Sequence, residues 1–263
     1  MKRFNFNQNN NKDFSIKKYI DFCHFLKSNN KQVIPIADYF KANKPKNDIV
    51  FLRHDVDIFP YRALKMAIIE SAFNIKSTYY FRKRKYVFNE QIIRKINSLG
   101  HEIGYHYETL SDAKGDTKLA LKFFSDNLAD FNKLVNIKTI SMHGSSLSPF
   151  NNKDIWKHCD IASFGILGEA YLSLNWNNLS YYTDAGGSWS SPANFRDKTI
   201  LSKEQKQINS TNELMSLMLG KNNFCINIHP DRWNEGIFWQ IEKVSKFIRN
   251  YAKIALKRIK EKE

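Results

Sequence analysis

Residues 49–57 read Ile-Val-Phe-Leu-Arg-His-Asp-Val-Asp, so four apolar residues lead directly into charged ones. A short apolar run of this kind is typical of a strand buried on both faces of a sheet. Its charged end predicts that the strand stops at a functional site.

Strand and helix patterns alternate after this stretch. Pro60 stands at the first position of a predicted helix that runs to Phe73, a place that proline tolerates. The later strands are predicted at residues 77–81, 101–106, 138–142 and 224–228, with shorter strand-like pieces near 161–164 and 179–183. The later helices are predicted at residues 90–99, 118–131 and 211–219. Helices of about ten to fifteen residues between strands indicate βα units and a parallel sheet.

The composition favours one globular domain over residues 1–263. Hydrophobic residues make up 42% of the 263-residue chain, and glycine and proline number only 10 and 6. This excludes a disordered or collagen-like chain. We expect the motif-bearing barrel over residues 48–233, an N-terminal helix over 14–28 and a C-terminal helix over 236–260. The segment 145–200 is the least regular, as functional loops often are.

The chain is strongly basic, with 41 Lys+Arg against 26 Asp+Glu and a net charge of +15. Such a charge suits nucleic acid, an anionic membrane or phosphorylated substrates. Neither zinc-finger spacing nor a Walker loop accompanies it, so nucleic acid is not the expected partner. The C-terminal helix has an apolar stripe among lysines; docking on the barrel is expected, and peripheral contact with an anionic membrane is the alternative.

The sequence predicts a cytoplasmic protein. No apolar run reaches the roughly 18 residues of a spanning helix, and no apolar stretch follows the basic N-terminus as in a secretory signal. The three cysteines are widely spaced without a CxxC pair, which is typical of a reducing compartment.

Five of the seven histidines follow or end predicted strands: His54, His101, His106, His143 and His229. The carboxyl ends of parallel strands meet at one edge, where ligands bind. Four polar strand ends therefore predict one site. His101 lies on the face opposite His106, and we expect His101 and His54 to be structural.

Asp55 and Asp57 are two residues apart, so in an extended segment both point to the same side. Two carboxylates at this distance repel unless a cation lies between them. Either Arg53 is that cation, or one aspartate binds a metal ion while the other remains a base. His106 and Glu108 have the same spacing, and this donor set suits zinc, other transition metals remaining open.

These residues belong to a series of motifs: RHDVD (53–57), GHEIGYHYE (100–108), MHGS (142–145), FGILGEAY (164–171), TDxGxxW (183–189) and IHPxRW (228–233). Together they resemble the NodB-homology polysaccharide deacetylases, carbohydrate esterase family four, and most closely the deacetylase-like proteins of bacterial surface-polysaccharide gene clusters. The resemblance implies a distorted (β/α) barrel with about seven parallel strands. It also implies metal-dependent removal of an acetyl group from an N-acetylated sugar.

By this resemblance Asp55 is the general base and Asp57 a ligand of a divalent metal ion, zinc being preferred. His106 is a second ligand, and His229 is the general acid. The family's next metal histidine corresponds to Leu110, which cannot ligate.

Glu108 or His143 could replace that ligand, and Glu108 is slightly favoured because it shares a face with His106. His143 itself stands where the family has an arginine-containing loop that holds the base, and Arg53 or Arg196 could replace that arginine electrostatically. The candidate substrate contacts are Arg53, Glu169, Tyr171, Asp184, Trp189 and Arg196. For Trp189, core packing is an equal alternative.

The expected partner is an N-acetylated sugar or glycan intermediate, free, nucleotide-linked or lipid-linked. A lipid-linked intermediate would bring the protein to the inner membrane face. Because Leu110 departs from the family pattern, two alternatives stay open. One is a metal-independent amide hydrolase that uses Asp55 and His229, and the other is a non-catalytic accessory protein that binds a glycan or a membrane.

Overall fold

The computed structural model describes residues 12–41, 48–145, 148–190, 206–220 and 222–234. Its helices are α1 (Ile16–Ser28), α2 (Pro60–Ala72), α3 (Glu90–Ser98), α4 (Thr109–Asp112), α5 (Thr117–Asn132) and α6 (Thr211–Leu217). Its strands are β1 (Gln32–Val33), β2 (Ile49–Val56), β3 (Thr78–Phe81), β4 (Glu102–Tyr107), β5 (Thr139–Met142), β6 (Gly168–Glu169), β7 (Ser180–Thr183) and β8 (Phe224–Ile228).

The strands form one parallel sheet in the order β6-β5-β4-β3-β2-β8-β7, and the short β1 pairs with the beginning of β2. Helices connect the central strands, so the sheet curls into a distorted (β/α) barrel, as the sequence predicted. Between the edge strands β6 and β7 the described residues show no pairing. Aromatic rings lie along this seam, where the Tyr181 ring centroid is 6.4 Å from that of Tyr171 and 5.6 Å from that of Trp176.

β2 lies in the middle of the sheet, and all eight of its residues are buried. It pairs with β3 on one side and β8 on the other. Side chains alternate along it: Val50 and Leu52 pack in a cluster with α1 and α6, whereas Phe51 belongs to the larger core. The alternation brings Arg53 and Asp55 to the same face as Phe51, toward the inside of the barrel.

The 3₁₀ helix Ile36–Phe40 closes the amino-terminal end of the barrel. Its first backbone N–H groups donate to Thr78 Oγ1 (2.9 Å) and Glu102 Oε2 (2.9 Å), at the first residues of β3 and β4. Glu102 also accepts from the Thr78 and Thr139 hydroxyls. One end of the barrel is therefore filled by structural polar contacts, which leaves the carboxyl ends of the strands for a site.

Most predicted elements are confirmed within one or two residues, and β8 has the predicted bounds. The strand-like piece near residues 161–164 is wrong: Ile161–Phe164 is a 3₁₀ helix, because the Asp160 side chain accepts from Ala162 N and Gly165 ends the turn at φ 71°. The two-residue strands β1 and β6 were not predicted. The C-terminal helix expected over 236–260 lies outside the described residues.

None of the helices in the described ranges is long and apolar enough to cross a membrane. Cys23, Cys159 and Cys225 are all free thiols.

Gly104 of β4 is required by the close approach of its neighbours. A Cβ atom at this position would lie 2.3 Å from the Tyr80 ring and 2.9 Å from the Thr139 carbonyl oxygen. We predict that Gly104→Ala lowers the free energy of unfolding by about 1–3 kcal/mol, the usual cost of overpacking. Urea denaturation measures it. Gly220→Ala is the matched control, since its Cβ would meet no atom closer than 3.6 Å; equal losses in both variants would contradict the packing argument.

Candidate active site

The carboxyl ends of β2, β4, β5 and β8 bring the predicted aspartates and histidines together. His106 Nε2 lies 3.8 Å from Asp55 Oδ2 and 3.5 Å from Asp57 Oδ1. His143 Nε2 lies 3.5 Å from the same Asp57 oxygen. The residues that follow different strands therefore form one cluster, as the topology of a parallel sheet requires.

Asp55 is held by two partners inside the barrel. Arg53 Nη2 donates to its two carboxylate oxygens at 2.8 and 2.7 Å, and Asn227 Nδ2 donates to Oδ2 at 3.0 Å. Burial alone would raise the pKa of Asp55, but the positive charges of Arg53, His106 and His229 outweigh it and bring this pKa to about 2. Asp55 is thus an oriented carboxylate, ionised at neutral pH.

The two histidines beside Asp57 each have a fixed tautomer in their neutral form. His106 Nδ1 lies 2.9 Å from the Ser141 carbonyl oxygen, which can only accept a hydrogen bond. His143 Nδ1 lies 3.0 Å from Glu108 Oε2, a carboxylate. Both Nδ1 atoms therefore carry hydrogen, and the Nε2 atom that faces Asp57 is the one that has a free lone pair in the neutral form of each ring.

The carboxylate of Glu108 is hydrogen-bonded to basic side chains. Its carboxylate accepts from Arg82 Nε and Nη2 at 2.8 and 2.7 Å and from Arg84 Nε at 2.7 Å, besides His143. Burial would raise the pKa of Glu108, but these hydrogen bonds and charges hold it well below its usual range. Leu110 is buried in α4. Glu108 therefore orients His143 with its remaining acceptor capacity.

The donor set approaches the arrangement of a metal site without completing it. Within the described ranges, no group of three or more His, Cys, Asp or Glu lies in a position to hold a metal ion. Two donor pairs have nearly the spacing of metal ligands, because the Nε2 atoms of His106 and His143 each lie 3.5 Å from Asp57 Oδ1. This buried oxygen has no hydrogen-bond partner. Two ligands of tetrahedral zinc with bonds of 2.0–2.1 Å are about 3.3–3.4 Å apart. In chemistry and in these two spacings, Asp57, His106 and His143 match the ligands that a divalent cation such as zinc prefers.

His229 follows β8 and is oriented by Asp184. Its Nδ1 donates to Asp184 Oδ1 at 2.6 Å, and its backbone N–H donates to the same carboxylate. Trp233 Nε1 donates to Asp184 Oδ2 at 2.8 Å. Burial and the charge of Arg232 lower the pKa of His229. The negative charges of Asp184 and Asp57 outweigh these effects and raise this pKa to about 9. His229 is therefore a protonated, fixed imidazolium at neutral pH.

The residues predicted to contact a substrate do not share one environment. The Tyr171 hydroxyl is 3.2 Å from Arg53 Nη2, so this tyrosine belongs to the Asp55 network. Glu169 is fully buried and accepts from the backbone N–H groups of Met142, Tyr171 and Leu172, which gives it a structural role in its own loop. Asp184 holds His229.

Trp189 is 6% exposed and packs against Phe14 and Trp233, which supports the core-packing alternative. Arg196 lies outside the described residues. His54 and His101 contact buried Glu70 outside the barrel, at 2.6 and 3.5 Å, in agreement with a structural role.

Sequence reasoning missed several supporting residues. Asn227 contacts Asp55, and Ser141 Oγ accepts from Arg53 Nη2 at 2.8 Å. Both lie on a strand, two residues before a predicted site histidine that directly follows the strand, so the two-residue periodicity of a strand would have placed them on the inner face. Arg82 and Arg84 belong to the basic stretch at residues 82–85, but the spacing in the sequence does not reveal Glu108 as their acidic partner.

Comparison with known proteins found no matching family model and no matching curated protein. Several solved structures are similar, among them the following three. One is the Xyl-CE4 domain of a multidomain xylanase from the hindgut metagenome of Trinervitermes trinervoides (13% identity, TM-score 0.39, 77% of this chain and 82% of that one). Another is a CE4 esterase of Streptococcus mutans (15% identity, TM-score 0.43, 94% of this chain and 90% of that one).

The third is a mutant of a CE4 family pseudoenzyme with restored enzymatic activity (13% identity, TM-score 0.39, 81% of this chain and 65% of that one). All three come from carbohydrate esterase family four. At TM-scores below 0.5 these likenesses carry no argument about activity, and the fold rests on the strand order and register given above.

The Asp184 contact yields a prediction for His229. Asp184→Asn removes one of the negative charges that raise the pKa of His229, and it leaves burial and Arg232, which lower this pKa. We expect the pKa of His229 to fall clearly below about 9, and NMR titration of the imidazole measures the fall. Asp154→Asn, an exposed carboxylate paired with Lys157, is the control and should leave it unchanged. A pKa still near 9 in Asp184→Asn would contradict the assigned cause.

Proposed function

We propose that the protein is a divalent-metal-dependent hydrolase that removes an N-acetyl group from a sugar. One observation carries the proposal: an unpartnered buried oxygen of Asp57 lies 3.5 Å from the Nε2 atoms of both His106 and His143. A carboxylate, Asp55, lies 3.8 Å from His106, and a protonated imidazole, His229, stands at the neighbouring strand end. A metal-site donor set, a base and an acid are the parts that amide hydrolysis requires.

Asp57, His106 and His143 would hold the metal ion. When bound, it would polarise the acyl carbonyl and lower the pKa of a water molecule. The geometry favours His143 over Glu108 as the third ligand, which reverses the preference drawn from sequence. Both oxygens of Glu108 already accept hydrogen bonds, and its contact with His143 Nδ1 is the usual support of a metal-ligating histidine.

Asp55 supplies the base. Arg53 and Asn227 fix its carboxylate so that a proton from the attacking water is accepted at a defined position. Its pKa of about 2 keeps it ionised and ready to accept. The same partners weaken its basicity, so the proposal assigns the acidification of the water to the metal site.

His229 supplies the acid. An amine leaves from a tetrahedral intermediate only after it is protonated, and the imidazolium of His229 carries that proton at neutral pH. Asp184 holds Nδ1–H, so Nε2–H is the proton that can be donated. Asp184 is therefore a positioning residue in this proposal.

The setting of the reaction is proposed from sequence and charge. An N-acetylated sugar or glycan intermediate of surface-polysaccharide biosynthesis, linked to a nucleotide or a lipid, would be the substrate, and the cytoplasm the location. The three free thiols support a reducing compartment. The net charge of +15 supports an anionic partner, such as the inner membrane face.

Metal content tests the ligand assignment. We expect about one zinc ion per chain after dialysis, and its loss in His143→Ala because one of three donors is removed. Glu108→Gln should weaken zinc binding by about 10–100-fold, as for the partner of a metal ligand. Elemental analysis and competition with a chelator measure both. His24→Ala, on an exposed face of α1, is the control. Zinc retained in His143→Ala but lost in Glu108→Gln would make Glu108 the ligand.

Turnover tests the base. Zinc-loaded protein should release acetate from an N-acetylglucosamine oligosaccharide such as chitotetraose or from UDP-N-acetylglucosamine. Asp55→Asn should lower the rate by roughly 10²–10⁴, the general-base range, while zinc content stays unchanged. Asp154→Asn serves as the control for loss of a carboxylate. Full activity in Asp55→Asn would remove Asp55 from the mechanism, and wild-type protein without activity on any N-acetyl sugar would overturn the proposed function.

A further inference from the structure

A groove of about 420 Å³ lies beside the site, between the loop that follows β2 and the loop that follows β3. Its wall begins at Ile58, the residue after Asp57, and continues through Arg62 at the start of α2. The other lining residues are Lys85, Tyr86, Phe88 and Asn89. A volume in this range suits a small ligand or one unit of a larger one.

Exposed aromatic rings line this groove. Phe59, Tyr61 and Tyr86 are 47%, 71% and 59% exposed. Phe59 also has a left-handed backbone, at φ 57°, which is costly for a bulky residue and is found where surrounding structure or function requires it. Apolar surface held open to solvent in one place marks a binding surface. Flat rings of this kind stack on the apolar C–H face of a sugar ring.

The groove is positively charged. None of the residues that line it is acidic. Arg82 and Arg84 are neutralised by Glu108 and Asp112, and Lys83 pairs with Asp130. Lys85, the last residue of this basic cluster, is exposed in the groove wall and has no ion pair among the described residues. Arg62 lies over the Phe59 ring, with its guanidinium carbon 4.6 Å from the centroid.

The position and chemistry of the groove define its occupant. Because the groove adjoins Asp57, a ligand in it is continuous with a substrate whose N-acetyl group lies between Asp55 and His229. One ammonium group without a partner matches one negative charge, whereas phosphate is usually bound by several donors. We propose that the groove binds a carboxylated sugar unit next to the N-acetylated one, its ring on the aromatic side chains and its carboxylate at Lys85.

This proposal rests on the proposed function, because it names the class of glycan that the same site accepts. It predicts an oligosaccharide in which acidic and N-acetylated sugars are neighbours. The zinc-loaded full chain should therefore bind a hyaluronan tetrasaccharide, with alternating glucuronate and N-acetylglucosamine, at least tenfold more tightly than neutral chitotetraose in calorimetry. Salt should weaken the first interaction and leave the second nearly unchanged.

Variants locate the charge. Lys85→Ala should weaken hyaluronan tetrasaccharide binding about tenfold and chitotetraose binding less than twofold, and Lys85→Arg should restore most of the loss. Lys118→Ala, an exposed lysine of α5 outside the groove, is the matched control and should change neither. Tyr86→Ala should weaken both tetrasaccharides, because the ring contact does not depend on charge.

Three results would overturn the inference. They are equal affinity of the wild-type protein for both tetrasaccharides, equal weakening of both by Lys85→Ala, and a Lys85 effect seen only with N-acetylglucosamine 1-phosphate as the probe. Binding is measured without turnover, whereas zinc content and acetate release report on the proposed function. An acidic glycan that binds through Lys85 without acetate release would therefore retain the groove and reject the hydrolase.

Discussion

A guanidinium group buried inside the barrel is the constraint on which the site depends. Arg53 is fully buried, and a charge in that position is tolerated only with close partners. Its Nη2 contacts Asp55, Ser141 and Tyr171, and its guanidinium carbon lies 4.6 and 5.2 Å from the ring centroids of Tyr171 and Tyr80. These partners come from four different parts of the barrel. Burying one arginine thus fixes the carboxylate that we propose as the base and ties the surrounding strands to it.

The same strand geometry repeats around the site. Arg53 precedes Asp55, Ser141 precedes His143 and Asn227 precedes His229, each by two residues, so that each pair faces the inside of the barrel. Each of these titratable side chains at a strand end is therefore accompanied by a polar side chain two residues earlier, further inside the barrel. On β4 the equivalent step before His106 is Gly104, because the Tyr80 ring occupies the space that a side chain would need.

The sequence predicts the fold well because periodicity and composition of the strands are local properties. The strand at residues 49–52 and the bounds of β8 follow from their apolar and β-branched residues. By contrast, β6 is only Gly168–Glu169, and it is a strand because Glu169 pairs with Ile140 of β5. The residues of the candidate site could be named from spacing and resemblance. Their partners could not, because Asp184 and His229, or Glu108 and Arg82, meet only after distant segments are folded. For that reason Asp184 was expected at a substrate and was found beside an imidazole.

By the resemblance drawn from the sequence, Leu110 stands where a metal histidine is expected, and this bears on the charged surroundings of the proposed site. With leucine in α4, the third proposed ligand comes from the end of β5, and His143 then needs an acceptor for Nδ1–H. Glu108 provides it, but a buried carboxylate requires its own cations, and Arg82 and Arg84 supply them. Their alternation along residues 82–85 leaves Lys83 for Asp130 and Lys85 for the groove. In the two proposals one basic cluster would therefore have two roles: Arg82 and Arg84 compensate the charge of Glu108, and the charge of Lys85 would be available to a substrate.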